Sequence, residues 1–244
     1  MPKRGVALIH YDRPENLSKL ISAVRDTVPS GTRVVVCDDG SHRLPVLPKD
    51  TILVRGPNSG VGANKNRALW ALQDCHYLAI LEDDLFPTQP GWFEKYEEVA
   101  ALTDTHHFCR IADNKAINET FPEISTFLAS KGYTPVYGTS PRGDFTFVTS
   151  RVIKEVGGFN PNFIGAGYAH GEWSERVIRA GLVPHPLKYW DVREIRDTFI
   201  QEGDTTGGRW NELEKTKTQI KSNKAVFNAI KSKPGYTYHP LILS

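Results

Sequence analysis

The sequence has little cysteine, a single methionine and no long apolar run. Its three cysteines, Cys37, Cys75 and Cys109, are odd in number and lie too far apart for a metal-binding or redox spacing. This excludes a disulfide scaffold and indicates free thiols in a reducing compartment. No stretch approaches the roughly 20 apolar residues of a membrane span, and the apolar run near the N-terminus is too short for a signal peptide. We therefore expect a cytoplasmic protein without a transmembrane segment.

The sequence also has little net charge. Thirty Lys and Arg against 28 Asp and Glu leave +2 over 244 residues, a balance that by itself predicts no partner. The charge is unevenly spread, because residues 209–244 contain seven basic and two acidic residues, or +5, and residues 1–208 carry −3. With 39% hydrophobic and 24% charged residues, the composition is typical of a globular chain. We expect a folded body followed by a basic C-terminal segment.

Short apolar strands alternate with amphipathic helices through the first hundred residues. Strands are predicted near 6–9, 34–37, 51–54 and 77–81, and helices near 15–28, 62–73 and 91–102. The pattern weakens over 103–143, where we expect loops and short elements. Further on, the spacing predicts a strand at 144–149 and helices at 151–156, 172–180 and 210–231. Continuously apolar strands separated by helices indicate a mostly parallel sheet covered on both faces.

These elements predict an α/β domain over residues 1–208, followed by a basic helical extension over 209–244. Within the domain, a nucleotide-binding half of about 1–102 precedes an acceptor half of about 103–208. Three polar clusters follow the predicted strands: His10-Tyr11-Asp12, Asp38-Asp39 and Glu82-Asp83-Asp84. Because ligands bind beyond the carboxyl ends of the strands in such sheets, we expect these clusters to meet at one edge.

The acidic cluster Glu82-Asp83-Asp84 is a candidate metal site. Carboxylates just beyond a strand can hold Mg²⁺ or Mn²⁺ and leave positions open for phosphate oxygens. Three adjacent carboxylates repel each other unless a cation is bound, which favours a metal over a solvated acidic turn.

Two loops are compatible with nucleotide binding, although each has a simpler explanation. Asp38-Asp39-Gly40-Ser41 fits a tight turn, but two aspartates exceed what a turn needs. In the segment 58–66, Gly60 and Gly62 allow the backbone to approach a phosphate, and Lys65 can neutralise its charge. The segment lacks the third glycine of a dinucleotide fingerprint and the Gly-Lys-Ser/Thr of a P-loop, so it also fits an ordinary helix N-terminal loop.

Taken together, the segments are more specific than any of them alone. VALIHYDRPENL, VVVCDDGS, NSGVGANKNRAL, LAILEDDLFPTQPGW and VIKEVGGFNPNF occur in this order. Over roughly residues 5–182 the sequence resembles the family 2 glycosyltransferases, which have the GT-A fold. The resemblance implies metal-dependent transfer of a sugar from a nucleotide-sugar, such as a UDP-sugar, to an acceptor hydroxyl, with inversion. It also implies Mn²⁺ or Mg²⁺ as cofactor.

The resemblance assigns roles to matching positions. The residues that it places around the nucleotide-sugar are Tyr11, Arg13, Asp38, Asp39, Asn58, Gly60, Lys65, Asn66 and Asp83. Asp84 becomes the direct metal ligand and Glu82 its companion. His185, between two prolines, is a poorer third metal ligand.

The sequence departs from the family at the catalytic base. Family members usually carry Glu-Asp eleven or twelve residues before an Ala-Gly, where this chain has Ala169-His170. His170 is our first candidate for the base, since imidazole can accept a proton near neutral pH. Glu172 is the second, unless it only pairs with Arg176 one turn away. Asp144 is the third, and fits a contact to the acceptor or donor sugar better.

Two other functions stay open at this point. A sugar-phosphate nucleotidyltransferase would carry a Gly-rich loop after the first strand, which is absent. A catalytically inactive relative that binds nucleotide, sugar or nucleic acid would explain the missing Glu-Asp pair, but not the retained Glu82 and Asp84.

The acceptor is undecided between a glycan and a hydroxylated base of phage-type DNA. The basic C-terminal helix is compatible with contact to nucleic acid or an anionic surface. We favour a simpler interpretation, in which the stripe Leu213, Ile220 and Phe227 packs the helix on the body and the lysines face solvent.

Overall fold

The computed structural model of the chain describes residues 2–111, 116–117, 122–165, 167–184, 189–202, 214–231, 233 and 235–241. In chain order the elements are β1 (Arg4–His10), α1 (Pro14–Thr27), β2 (Arg33–Asp38), β3 (Ile52–Arg55), α2 (Val61–Ala71), β4 (Tyr77–Glu82), β5 (Leu85–Pro87), α3 (Trp92–Thr103) and β6 (His107–Ile111). They continue with β7 (Ala116–Ile117), α4 (Pro122–Ser130), β8 (Pro135–Gly138), β9 (Pro141–Thr149), α5 (Ser150–Val156), α6 (Ala169–Arg179), β10 (Tyr189–Val192), α7 (Arg193–Arg196), β11 (Phe199–Gln201) and α8 (Glu214–Lys231).

The central sheet has six strands in the order β3-β2-β1-β4-β9-β6. The strands β3, β2, β1 and β4 are parallel, whereas β9 runs antiparallel to both β4 and β6. Leu81 pairs with Phe145, so the start of β9 lies beside the end of β4. The mostly parallel sheet predicted from the sequence is confirmed, and its one reversed strand brings Asp144 to the edge that carries Glu82.

Alternation along the strands builds a core on each face of the sheet. In β1, Val6 and Leu8 pack with α1 and α3, whereas Ala7 and Ile9 pack with α2, α5 and α6. Complete burial of each such side chain contributes roughly 1.5–3 kcal/mol relative to exposure. Pro14 at the start of α1 suits the first helical turn, where a backbone N–H has no partner.

Outside the central sheet, two small antiparallel sheets form. One has the order β10-β8-β7 and the other pairs β11 with β5. Two of these strands and β6 fall in 103–143, where the sequence predicted loops and short elements. The predicted helix at 172–180 begins earlier, at Ala169, after a turn with positive φ at Gly165, Gly167 and Tyr168. As a result, His170 lies in the first turn of α6.

The C-terminal segment packs on the body. Val226, Phe227 and Ile230 of α8 contact the core that contains α2, α5 and α6, and Asn223 is buried. Of the predicted stripe, Phe227 packs on the body, Ile220 is exposed, and Leu213 lies outside the described residues. None of the helices described in the structure is both long and apolar enough to cross a bilayer.

The chain then passes over the Gly157-Gly158 pair. The amide of Gly158 donates to the His239 carbonyl at 3.0 Å, and the amide of His239 donates to the Val156 carbonyl at the same distance. A Cβ at Gly157 would lie 1.7 Å from the carbonyl oxygen of His239, and φ at this residue is +70°. Only glycine fits there, so part of the Gly-Gly-Phe motif serves to seat the end of the chain.

Stability should depend on pH through His107 in β6. Burial lowers the pKa of its imidazole to about 3, and the ring packs edge-on against Trp173. Since an unfolded histidine titrates near 6.5, between about pH 6.5 and 3 the unfolded chain binds a proton that the native imidazole does not. The contribution of His107 to the unfolding free energy is therefore fully present above pH 6.5, and it is lost as the pH falls from 6.5 towards 3.

The variant His107→Leu should lose less stability on acidification than the parent chain. From pH 7 to pH 5 the parent should lose roughly 2 kcal/mol more unfolding free energy than the variant, at up to about 1.4 kcal/mol per pH unit. Urea denaturation at both pH values measures this difference. Equal losses in the two chains would show that His107 does not titrate as described.

Candidate active site

The carboxyl ends of β1, β2 and β4 meet at one edge of the sheet. His10 pairs with Asp38, and Ile9 pairs with Glu82, so the polar residues that follow these strands are neighbours. Asn64 of α2, fully buried, ties two of the ends together by donating to the carbonyls of His10 (3.4 Å) and Cys37 (2.7 Å). The convergence expected from the sequence is thus present in the structure.

Asp83, the middle residue of the acidic cluster, is paired within the protein. One oxygen lies 2.9 Å from Nδ1 of His10, and the other accepts a hydrogen bond from Arg13 at 3.2 Å. Its side chain is mostly buried. Asp83 therefore fixes the turn and holds Arg13 at the edge of the site.

Asp84 is the open carboxylate of the cluster. Its Oδ1 is buried and has no hydrogen-bond partner among the described residues, and its Oδ2 lies 3.6 Å from a guanidinium nitrogen of Arg13. Burial, followed by the charges of Glu82 and Asp83, raises the pKa of Asp84 to about 6. A buried carboxylate oxygen without a donor, next to two other carboxylates, is what a divalent cation would complete.

The cation would need ligands besides this chain's carboxylates. Among the described residues, no group of three His, Cys, Asp or Glu side chains is arranged to hold a metal ion. Asp84 can thus supply one hard oxygen, and diphosphate oxygens suit the remaining positions. The predicted third ligand, His185, lies outside the described residues.

Lys65 of α2 connects the end of β4 to the start of β9. Its ammonium group is buried, lies 2.9 Å from a carboxylate oxygen of Glu82, and donates to the carbonyl of Gly143 at the start of β9. Glu82 is about one-third exposed and faces the cavity described below. Lys65 therefore places a positive charge beside the acidic cluster.

Asp38 and Asp39 are both engaged by their own surroundings. Asp38 is fully buried, accepts hydrogen bonds from Ser41 and pairs with Arg55 at 3.0 Å. Asp39 accepts from the amides of Ser59 (3.0 Å) and Gly60 (2.8 Å), and from the guanidinium of Arg67. The two carboxylates thus hold the loops beside the site, and their predicted direct contact to a nucleotide stays a prediction.

Arg67 is a residue that the sequence reasoning missed. It is buried, 2.8 Å from Asp39, and also donates to the carbonyl of Pro57 at 2.9 Å. It lies two residues after Lys65 in the segment NSGVGANKNRAL. A charged residue on a helix face that is otherwise buried could have indicated a paired arginine there.

The remaining residues of the 58–66 loop have different surroundings. Asn66 exchanges two hydrogen bonds with the backbone of Phe159, at 3.0 and 2.7 Å, and so ties α2 to the Gly-Gly-Phe segment. Gly60 has φ of +93°, and a Cβ there would lie 2.8 Å from the amide of Gly165. Asn58 is exposed on the loop, and Tyr11 is exposed beyond β1.

Asp144 starts the buried part of β9 between two arginines. Its Oδ2 lies 3.1 Å from Arg110 and 2.8 Å from Arg142, whereas its Oδ1 is buried without a partner. Burial raises the pKa of Asp144, and the two arginines oppose this effect. The two arginines were not predicted from the sequence, although Arg142 directly precedes the Gly143-Asp144 step.

A cavity of about 630 Å³ opens beside this edge. Lys65 and Glu82 form the wall near the acidic cluster, and the opposite wall comes from α6, β10 and α8. This wall includes the side chains of Tyr168, His170, Glu175, Tyr189 and Phe227. The volume is in the range of small-molecule sites in proteins.

His170 lies in this cavity wall, and neither ring nitrogen has a hydrogen-bond partner in the described ranges of the chain. The ring is buried and roughly parallel to Phe159 at 6.5 Å. Burial, with Lys65 and His107 nearby, lowers the pKa of His170 well below its ordinary value. The imidazole is therefore neutral, and the same surroundings make it a weaker base than a free imidazole.

Glu172 faces away from the cavity. It is buried and forms a bidentate pair with Arg176, at 2.6 and 3.1 Å. Glu175, one turn later, does line the cavity and accepts a hydrogen bond from Tyr189 at 2.7 Å. Sequence reasoning missed Glu175 because the family spacing points to the start of the helix.

Comparison with solved structures places the fold. GalNAc-T7 with UDP, GalNAc and Mn²⁺ matches at a TM-score of 0.59 and 12% identity, over 78% of this chain and 43% of that protein. The mannosyltransferase PcManGT from Pyrobaculum calidifontis, in complex with GDP-Man and Mn²⁺, matches at 0.52 and 13% identity, over 75% and 55%. The chain thus spans about half the length of these proteins. No family model and no curated protein matches the sequence. The chain has the GT-A fold of glycosyltransferases.

Glu172 should matter for stability rather than directly for chemistry. The change Glu172→Gln leaves the buried guanidinium of Arg176 without its counter-charge, which typically costs about 3–5 kcal/mol. The matched change Glu175→Gln, on the same helix but at the cavity, should cost less than about 1 kcal/mol because glutamine still accepts from Tyr189. Urea denaturation of both variants measures this, and equal effects would contradict the assignment.

Proposed function

We propose that the chain is a nucleotide-sugar-dependent glycosyltransferase related to family 2. The observation that carries the proposal is Asp84, at the carboxyl edge of a GT-A sheet, whose buried carboxylate oxygen has no partner within the described part of the chain. Glu82, two residues earlier, pairs with Lys65 and lines a cavity large enough for a sugar. The structural neighbours contain UDP or GDP-Man with Mn²⁺, which supports a nucleotide-sugar donor and a divalent metal in this chain.

The donor nucleotide is proposed to lie along the ends of β1 and β2. Tyr11 and Arg13 line the base pocket, and Asp39 with Arg67 fixes the loop at 58–60 beneath it. The diphosphate lies between Arg13 and Lys65, whose charges offset its own. The sugar then extends into the cavity, towards Asp144 and its two arginines.

A divalent cation fits this arrangement. Asp84 would hold it, with Glu82 nearby and diphosphate oxygens completing its ligands. When bound, it acts as a Lewis acid that neutralises charge on the departing nucleoside diphosphate.

The proposed reaction is displacement at the anomeric carbon. An acceptor hydroxyl oxygen forms the new bond to this carbon, and the bond to the diphosphate oxygen breaks with its electron pair leaving on the nucleotide. The hydroxyl proton passes to a base in the cavity wall. Attack opposite to the leaving group gives inversion.

His170 is the proposed base. It belongs to the cavity wall, and among the described residues neither ring nitrogen has a hydrogen-bond partner that a proton would have to displace. Burial disfavours the imidazolium, so the acceptor proton must be taken while a neighbouring carboxylate such as Glu82 offsets the charge. Glu175 is the nearest alternative in the same wall, and it also positions Tyr189. Glu172 is excluded from this role in the proposal because Arg176 holds both of its oxygens.

The variant Asp84→Asn should abolish metal-dependent turnover without unfolding the protein. The change removes a charge that a cation needs but keeps the side-chain shape, so we expect at least a 100-fold loss. The assay is release of nucleoside diphosphate from a panel of UDP- and GDP-sugars with Mn²⁺ or Mg²⁺. Asp74→Asn, at an exposed pair with Arg33 far from the site, is the matched control. Full activity in Asp84→Asn, or no turnover of any donor by the parent, would contradict the proposal.

The variant His170→Gln should lower kcat and leave donor affinity unchanged. Loss of a general base typically costs 10²–10⁴-fold. Donor affinity should stay the same because the imidazole lies on the acceptor wall. Turnover and binding of UDP with Mn²⁺ are measured side by side with Glu175→Gln. A larger kcat loss in Glu175→Gln than in His170→Gln would transfer the role of base to the glutamate.

A further inference from the structure

Helix α8 forms part of the cavity wall. The ring of Phe227 lines the cavity and lies 5.4 Å from the ring of Tyr168. Asn223, one turn earlier, is buried and donates to the carbonyls of Ile164 (3.0 Å) and Gly167 (3.1 Å). These bonds hold the turn that leads into His170. The C-terminal helix therefore belongs to the acceptor side of the site.

The outer face of α8 carries a row of lysines. Lys217, Lys221, Lys224 and Lys231 are all exposed, and none of them forms an ion pair with a described residue. No Asp or Glu follows Glu214 in the sequence, so the helix offers no acidic partner beyond its first residue. We call these four residues the lysine row.

The lysine row follows one side of the helix. At 3.6 residues per turn its members fall within about 80° of the helix circumference, and at 1.5 Å per residue they extend over about 21 Å. The row borders the cavity, because the ammonium of Lys231 lies 5.6 Å from the ring centre of Phe227. Such a line of point charges suits a linear polyanion with regularly spaced phosphates.

A lipid surface fits this helix less well. An interfacial helix must leave its apolar face free to enter the bilayer. Here Val226, Phe227 and Ile230 are packed on the body, and among the described residues of α8 only Ile220 is a large apolar side chain that is exposed.

We propose that the acceptor is a polynucleotide whose backbone lies along the lysine row. One extruded nucleotide enters the cavity and stacks on Tyr168 and Phe227, since aromatic rings beside a basic groove bind unstacked bases. This inference rests on the proposed function for the transfer step, but the binding surface does not depend on it.

The test is binding of a fluorescein-labelled 20-nucleotide single-stranded DNA, measured by anisotropy as a function of salt. The row variant changes all four lysines of the row to Gln. The control variant changes Lys49, Lys95, Lys131 and Lys154 to Gln, which are exposed lysines elsewhere on the surface with the same total charge. The row variant should bind at least 10-fold more weakly, and its salt slope should fall by about 3, at roughly 0.7 per lost phosphate contact.

Three results would overturn the proposal. The first is that the parent protein does not bind the DNA. The second is that the control variant loses as much affinity for the DNA as the row variant. The third is that the row variant binds the DNA like the parent and has lost only binding to vesicles that contain phosphatidylglycerol. Asp84→Asn should bind the DNA like the parent. If that holds while no donor is turned over, the proposed function fails and the polynucleotide surface stands. If donors are turned over but the DNA does not bind, the surface fails alone.

Discussion

The buried ammonium of Lys65 is the interaction on which the site depends. It joins Glu82, at the end of a parallel strand, to the carbonyl of Gly143, at the start of the reversed strand β9. A buried lysine is costly unless it is paired, so this contact fixes both strand ends relative to α2. The same charge pairs with Glu82, one of the carboxylates that raise the pKa of Asp84. The acidic cluster after β4 and the start of β9 are thus held together by one buried charge.

Much of this arrangement is predictable because parallel sheets leave local signals. Continuous apolar strands such as residues 34–37, followed at once by carboxylates, place Asp38 and Glu82 at one edge without any knowledge of tertiary contacts. Glu175 and Phe227 could not be placed in this way, because each reaches the cavity through packing between elements far apart in sequence. The same limit applies to Glu172, whose i,i+4 partner was visible but whose burial was not. Motif spacing led to α6, and the structure shows which of its side chains line the cavity.

The C-terminal segment shows how a charge pattern gains meaning from packing. As sequence, residues 209–244 are a basic tail with an apolar stripe. In the structure, Val226, Phe227 and Ile230 pack α8 on the body, and Asn223 bonds to the carbonyls of Ile164 and Gly167. The lysines therefore face outward beside the cavity rather than lying on a detached helix. Gly157 and Gly158 also hold the C-terminal segment on the body, because the chain around His239 packs where a side chain at either position would lie.

The central claim is that one protein carboxylate and a nucleoside diphosphate together hold a divalent cation. Calorimetric titration of UDP and GDP in the presence and absence of Mn²⁺ tests it most directly. The account predicts that nucleotide and metal each bind weakly alone and at least 10-fold more tightly together, and that Asp84→Asn removes this coupling. Equal nucleotide affinity with and without Mn²⁺, or unchanged coupling in Asp84→Asn, would contradict it.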